Sequence, residues 1–187
     1  MSVSLAKGQN VSLTKDGITD VVVGLGWDVK TGDGKDFDLD ASCFLLTKDR
    51  KVRGREDFIF YNNKKSSCGC VEHMGDNRTG EGAGDDEQIA VHLAKLDPQV
   101  DRVAVVVSIY EAKERNQNFG QVNNAYIRVI NTANNEEVAR FDLTEDASTA
   151  QAMVLGELYR HGNDWKFKAC GTFFKDGLAE IADLFGA

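Results

Sequence analysis

One proline, Pro98, stands in 187 residues. That excludes a proline-rich linker, a polyproline ligand and a collagen-like repeat. Cysteine is sparse as well. Four in a chain of this length do not make a disulfide framework, and in a reducing compartment they are expected to remain thiols. No apolar run approaches the roughly 20 residues that a membrane-spanning helix requires. No basic start is followed by the apolar stretch of a secretory leader, so the expectation is a cytoplasmic protein without direct membrane insertion. Positive charge is in deficit, with 22 Lys+Arg against 30 Asp+Glu and a formal net charge of −8. Such a balance repels phosphate backbones and speaks against nucleic acid as a partner. With 42% hydrophobic residues the chain has enough apolar material for one compact domain over 1–187, and no linker or repeat divides it.

What is present is mostly alternation with a period of two, the signature of strands. In RVAVVVSIYE, Val103, Val105, Val107 and Ile109 fall on one face and Ala104, Val106, Ser108 and Tyr110 on the other. Both faces are largely apolar, which suits an interior strand with neighbours on both sides. Further strands are predicted at DVVVGLGWDV, FDLDASCFLL, EDFIFYN, NAYIRVINT, EEVARFDL, AMVLGELYR and WKFKACGTFF. Asp33-Gly34, Asn62-Asn63, Asn134-Asn135 and HGND ending at Asp164 supply turns between them. The fold class read from this pattern is mainly β: an antiparallel β-sandwich with a few short peripheral helices. One helix is placed over Asp146–Met153. A second is placed at the C-terminus, where Leu178, Ile181, Ala182 and Phe185 recur at helical spacing until Gly186; it is expected to cap a sheet edge.

Acid is concentrated in two stretches, DFDLD at 36–40 and GDNRTGEGAGDDE at 75–87. On a strand, Asp36, Asp38 and Asp40 share one face while Phe37, Leu39 and Ala41 turn to the core. Carboxylates spaced that way lie about 7 Å apart and repel by roughly 2 kcal/mol at an effective dielectric of 20, unless water and salt screen them. The second stretch adds oxygen donors at Asp76, Asn77, Glu81, Asp85, Asp86 and Glu87, interleaved with glycines that let the backbone curl and turn carbonyls inward. Calcium asks for that combination, six to eight oxygen ligands in flexible geometry, whereas zinc wants the sulfur or imidazole that the stretch lacks. Asp28 joins if WDVKTGDGKDFD forms a hairpin that brings it opposite residue 37 or 38. Glu111 joins if it continues the inward face of the Val103–Ile109 strand. The bland alternative, a solvated acidic face with rim acids paired to Lys or Arg, stands beside this reading.

Several other frames fail. An EF-hand counted from Asp36 has Ala41 where glycine is needed and Thr47 where glutamate is needed. A phosphate loop needs GK[ST], and the acids at 81 and 85–87 oppose phosphate. Neither a nucleophile elbow nor a cofactor motif is present, so no enzyme is expected. His73, ahead of Asp76, reads as a loop or surface residue.

GLGWD at 24–28, DFDLDAS at 36–42, FIFYN at 58–62, GDNRTGEGAGDDE at 75–87, NFGQVNNAYIRV at 118–129, FDL at 141–143 and GELYRHGNDWKF at 156–167 together resemble the tellurium-resistance TerD family, over nearly the whole chain. The resemblance implies a calcium-binding β-sandwich of bacterial stress operons, without assigned catalysis. It further implies action in the cytoplasm, peripheral to the inner membrane through a membrane-embedded tellurium-resistance partner, and assembly with related TerD-family proteins. Carried onto this chain, the metal ligands implied are Asp36, Asp38, Asp40, Asp76, Asn77, Gly80 through its carbonyl, Glu81, Asp86 and Glu87, with Asp28 and Glu111 serving a second Ca2+. Two features depart from the family pattern: Ala83 stands where an acid is common, and Cys68-Gly69-Cys70 is atypical. Those two cysteines carry the alternative function, direct thiol capture or reduction of tellurite, against the plainer reading of a turn with spare thiols.

Overall fold

A computed structural model describes residues 2–29, 37–76, 84–143 and 147–187, with backbone alone at Val29 and Asp76. The described strands, in chain order, are β1 (Val3–Ser4), β2 (Asn10–Ser12), β3 (Asp20–Val29), β4 (Leu39–Leu46), β5 (Phe58–Ile59) and β6 (Val71–Asp76). They continue with β7 (Glu87–His92), β8 (Arg102–Ile109), β9 (Val122–Asn131), β10 (Glu136–Asp142), β11 (Ala152–His161) and β12 (Asp164–Phe174). Two helices complete the set, α1 (Ala112–Arg115) and α2 (Leu178–Phe185).

The strands form two six-stranded sheets, ordered β1-β10-β9-β3-β7-β6 and β2-β12-β11-β8-β4-β5. Neighbours pair antiparallel except β1, which runs parallel to β10. Alternation decides the core. Odd-numbered residues of β3, β7 and β9 meet odd-numbered residues of β4 and β8 in one cluster that includes Val23, Leu25, Ile89, Ile127, Ala41, Cys43, Val105 and Val107. The interior-strand reading of β8 holds, because it lies between β11 and β4. Its second apolar face is also explained: Ala104 and Val106, with Phe44, Leu46, Ala152 and Val154, form a second cluster under Ile181 and Phe185 of α2.

Three expectations need correction. Helix α2 covers the outer face of the second sheet instead of capping an edge, because six apolar side chains on that face require a cover. No hairpin joins residues 20–29 to 37–46, since β3 pairs with β7 and β9 while β4 pairs with β5 and β8. The chain crosses between sheets there, and the proposed turn at Asp33-Gly34 lies outside the described residues. The helix placed over Asp146–Met153 is absent where it is described: Ala147–Gln151 is turn and bend, and Ala152 already begins β11. Two turns match the reading. Asn135 and Gly162 adopt positive φ, of 57° and 65°, in the β9–β10 and β11–β12 connections. The residues EDFIFYN give a shorter strand than read, β5 having two residues before an isolated bridge from Phe60 to Asn63.

An acidic end of the sandwich

Register fixes which residues share one end of the molecule. Asp76 pairs with Glu87, Val29 with Val122, and Leu39 with Ile109, so the last residues of β3, β6 and β8 lie with the first of β4, β7 and β9. Segments 30–36 and 77–83 connect strands at this end. Asp36, Asn77, Gly80 and Glu81 belong to them and, with the side chain of Asp76, lie outside the described residues.

The remaining acids fall on two flanks. On the first sheet, a register shift in β3 between Gly26 and Asp28 frees the Trp27 N–H, which donates to Asp86 Oδ2 at 2.8 Å. Asp86 is 8% exposed. Burial raises its pKa, the Trp27 hydrogen bond lowers it, and the charges of Asp28 and Asp85 raise it further, for a net upward shift. Asp28 is exposed and accepts from Asn124 Nδ2 at 2.7 Å. Glu87 points into the interior, where its Oε2 lies 2.9 Å from His73 Nε2. The same His73 nitrogen is 3.1 Å from the Ala41 carbonyl of the opposite sheet, while Nδ1 accepts from the Gly75 N–H at 3.3 Å. Desolvation would lower the pKa of this imidazole, but Glu87 and the Ala41 carbonyl outweigh it and the net shift is upward.

On the second sheet, Leu39 and Ala41 turn inward while Asp38 and Asp40 are half-buried, as the period of two requires. The Asp38 carbonyl accepts the Tyr110 N–H at 2.8 Å, and Asp40 stands opposite Ser108. Glu111 does not continue the inward face of β8. It takes a left-handed conformation, φ 49°, on an exposed turn and pairs with Arg115 at 3.2 Å. A strand that ends at Ile109 no longer imposes alternation two residues later, and the carboxylate goes to water and a cation. Asp40 and Glu111 nonetheless line one pocket of about 450 Å³.

Sequence reasoning missed three things. His73 is buried, 3% exposed, instead of lying on a loop; its place two residues after Val71, on the same strand face, was the available signal. Asp85 is held apart from the other acids by Arg128 Nε at 2.7 Å, Tyr126 Oη at 3.0 Å and Gln88 Nε2 at 3.0 Å. These partners come from strands more than forty residues away or from the next strand, and no local pattern announces them. Gly24 makes room for this cluster, because a Cβ there would stand 2.0 Å from Asp85 Oδ2. Cys68 and Cys70 also depart from expectation: they form a disulfide, closing the turn before β6, and are not thiols. Cys43 is fully buried, and Cys170 is partly buried.

Among the described residues, no three His, Cys, Asp or Glu side chains are grouped to hold a metal, and no helix is long and apolar enough to cross a membrane. Asp28 and Asp86 are hard oxygen donors whose charges oppose each other, which suits a calcium-type cation in kind. Two carboxylates fall short of six oxygens; the other candidate donors are Asp38 and Asp40 on the second sheet and the acids of segments 30–36 and 76–83.

Together these features define an all-β, two-sheet protein with carboxylates gathered at one end. The TerD domain model matches residues 1–185. The chain is 56% identical to the tellurium resistance protein TerD of Serratia marcescens, covering 100% of this chain and 98% of that one. It is 50% identical to general stress protein 16U of Bacillus subtilis (strain 168), over 100% of this chain and 98% of the relative. The crystal structure of a homologue of telluride resistance protein (TerD) from Streptomyces coelicolor A3(2) superposes with a TM-score of 0.72 at 25% identity, covering 89% of this chain and 96% of that one. The chain belongs to the TerD family of tellurium-resistance and stress proteins.

Proposed function

We propose that this chain is a non-catalytic, calcium-binding module of the stress response, whose acidic end is ordered by Ca2+ and then presented to partner proteins. The observation that carries the reading is Asp86: a nearly buried carboxylate, raised in pKa by burial and by the nearby charges of Asp28 and Asp85, at the end of the sandwich where β3 and β6 finish and β4 and β7 begin. A divalent cation would relieve that repulsion. Asp28 and Asp86 would hold it from the first sheet and Asp38 and Asp40 from the second, with Asp36, Asp76, Asn77, Gly80 and Glu81 contributing from the connecting segments. Glu87 and Glu111 would serve from the outer shell, since His73 and Arg115 already face them. The partners that suit this reading are related TerD-family proteins and a membrane-embedded tellurium-resistance protein, met in the cytoplasm at the inner membrane.

Thermal unfolding of chelator-stripped protein, with calcium, with magnesium and with neither, tests the proposal. At one hundred times its dissociation constant a ligand of the folded state stabilises by about 2.7 kcal/mol, a rise of roughly 5–10 °C for a chain of this size. The expected rise is calcium-specific and disappears in Asp86→Asn. That variant should melt no lower than the wild type without calcium, because the amide keeps the Trp27 hydrogen bond and removes the charge repulsion. Absence of a calcium shift, or an Asp86→Asn protein that is simply less stable, would sink the reading.

A further inference from the structure

On the outer side of the second sheet, the pocket of about 450 Å³ beside α1 and the start of α2 has a composition of its own. Its size lies within the range of small-molecule sites. Asp40 and Ser108, directly opposed on β4 and β8, contribute polar groups to its lining, and Phe58 and Phe60 contribute an aromatic wall. That wall is part of a ladder: Phe44 stacks on Phe58 at 4.4 Å, Phe58 on Phe60 at 4.5 Å, and Tyr61 meets Phe60 edge-on at 5.3 Å. Only the innermost ring of the ladder, Phe44, is fully buried, whereas Tyr61 and Tyr110 are each 40% exposed although large and aromatic. Four acids line the pocket, Asp40, Glu111, Glu114 and Asp176, against a single lysine, Lys113. Aromatic faces beside carboxylates are the pairing that desolvates and neutralises an organic cation.

The protein already shows this recognition at the pocket's own rim. Arg115 lies over the Tyr110 ring at 5.2 Å while its guanidinium pairs with Glu111 at 3.2 Å. A cation held between an aromatic face and a carboxylate is thus stable there.

We propose that this pocket binds a small aliphatic polyamine, its methylene chain against Phe58 and Phe60 and its ammonium groups on Asp40 and the rim carboxylates. Acids on β4, on α1 and ahead of α2 surround the cavity from separate elements, so a ligand with two or more charges engages more of them than a single ammonium can. The site shares Asp40 and Glu111 with the proposed calcium reading but not its buried carboxylate, Asp86, which is absent from this lining, so binding measured in EGTA separates the two.

Calorimetric titration with 1,4-diaminobutane and with its uncharged counterpart, 1,4-butanediol, tests the proposal, in EGTA and again with calcium in excess. The expected result is saturable 1:1 binding of the diamine in EGTA, weakened by added salt, with no binding of the diol. Phe60→Leu and Asp40→Asn should each weaken the diamine at least tenfold in proteins that still unfold in one cooperative transition. Phe60→Leu keeps the comparison clear of any effect on calcium. Diamine binding in EGTA supports the pocket even if the calcium reading fails, and a calcium response without diamine binding overturns the pocket alone. Equal binding of diamine and diol, binding indifferent to both substitutions, or binding of a lysine-rich peptide where free diamine does not bind would also overturn it.

Discussion

Asp85 and Asp86 are adjacent in sequence and opposite in circumstance. Both precede β7 and escape its alternation, which turns odd-numbered residues inward: Asp85 meets Arg128, Tyr126 and Gln88 on the outer face of the first sheet, and Asp86 meets the backbone of Trp27. Burial and the nearby Asp85 charge push the Tyr126 phenol up to about 12. Its phenolate is disfavoured only in the folded state, so this contribution to stability is fully present below pH 10 and is lost between pH 10 and about 12. An ultraviolet titration should show one phenol ionising near that value, and Tyr126→Phe should remove the step. Gly24→Ala belongs to the same cluster. Although Asp85 is a side chain and in principle movable, its carboxylate is 0% exposed and tied to three donors, so the added methyl must break them. A loss of about 1–3 kcal/mol in denaturant unfolding is expected, whereas a neutral result would show that the bay over Gly24 is loosely filled.

Among the elements, α2 shows what an amphipathic stripe can and cannot say. Leu178, Ile181, Ala182 and Phe185 predict a helix, and Gly186, at φ 75°, ends it with its N–H on the Ala182 and Asp183 carbonyls. The stripe does not say what it covers, because any apolar surface would serve. What it covers is Phe44, Leu46, Ala104 and Val106, with the Phe185 ring edge-on to Phe44 at 5.2 Å. Phe185→Ala should cost about 3–5 kcal/mol and loosen α2 in hydrogen exchange before the sheets open. The turn before β6 yields a second prediction. Cys68 and Cys70 are joined, burial pushes the Cys43 thiol well up, and Cys170 is pushed up to about 12, chiefly by burial and then by Glu157. Native protein should therefore resist alkylation near neutral pH and, after mild reduction, gain one rapidly labelled site at exposed Cys68, with buried Cys70 following more slowly. Prompt labelling without reductant would revive free thiols at 68 and 70, and with them direct capture of tellurite.

For the whole molecule, one cluster spans both sheets, with Trp27 on β3 and Trp165 on β12 among its members. Single-tryptophan variants Trp27→Phe and Trp165→Phe should report the same unfolding midpoint, since neither sheet can bury its inner face alone. Separate midpoints would mean that the sheets unfold independently. Period-two alternation had announced β3, β8, β9, β10, β11 and β12 nearly to their ends, because the pleat writes burial directly into neighbouring residues. Family membership was legible too, in motifs distributed along the chain and now matched over residues 1–185. Short edge strands such as β1 and β2 were not, having too few residues to show a period. The acidic character of one end could be read from composition, but its division could not: Asp28 and Asp86 on one flank, Asp38 and Asp40 on the other, Glu87 facing His73 and Glu111 facing Arg115. Local alternation determines which side of a strand a residue takes. Which strands become neighbours, and so which charges meet, depends on contacts between segments tens of residues apart, and those are settled only when the two sheets close on a common core.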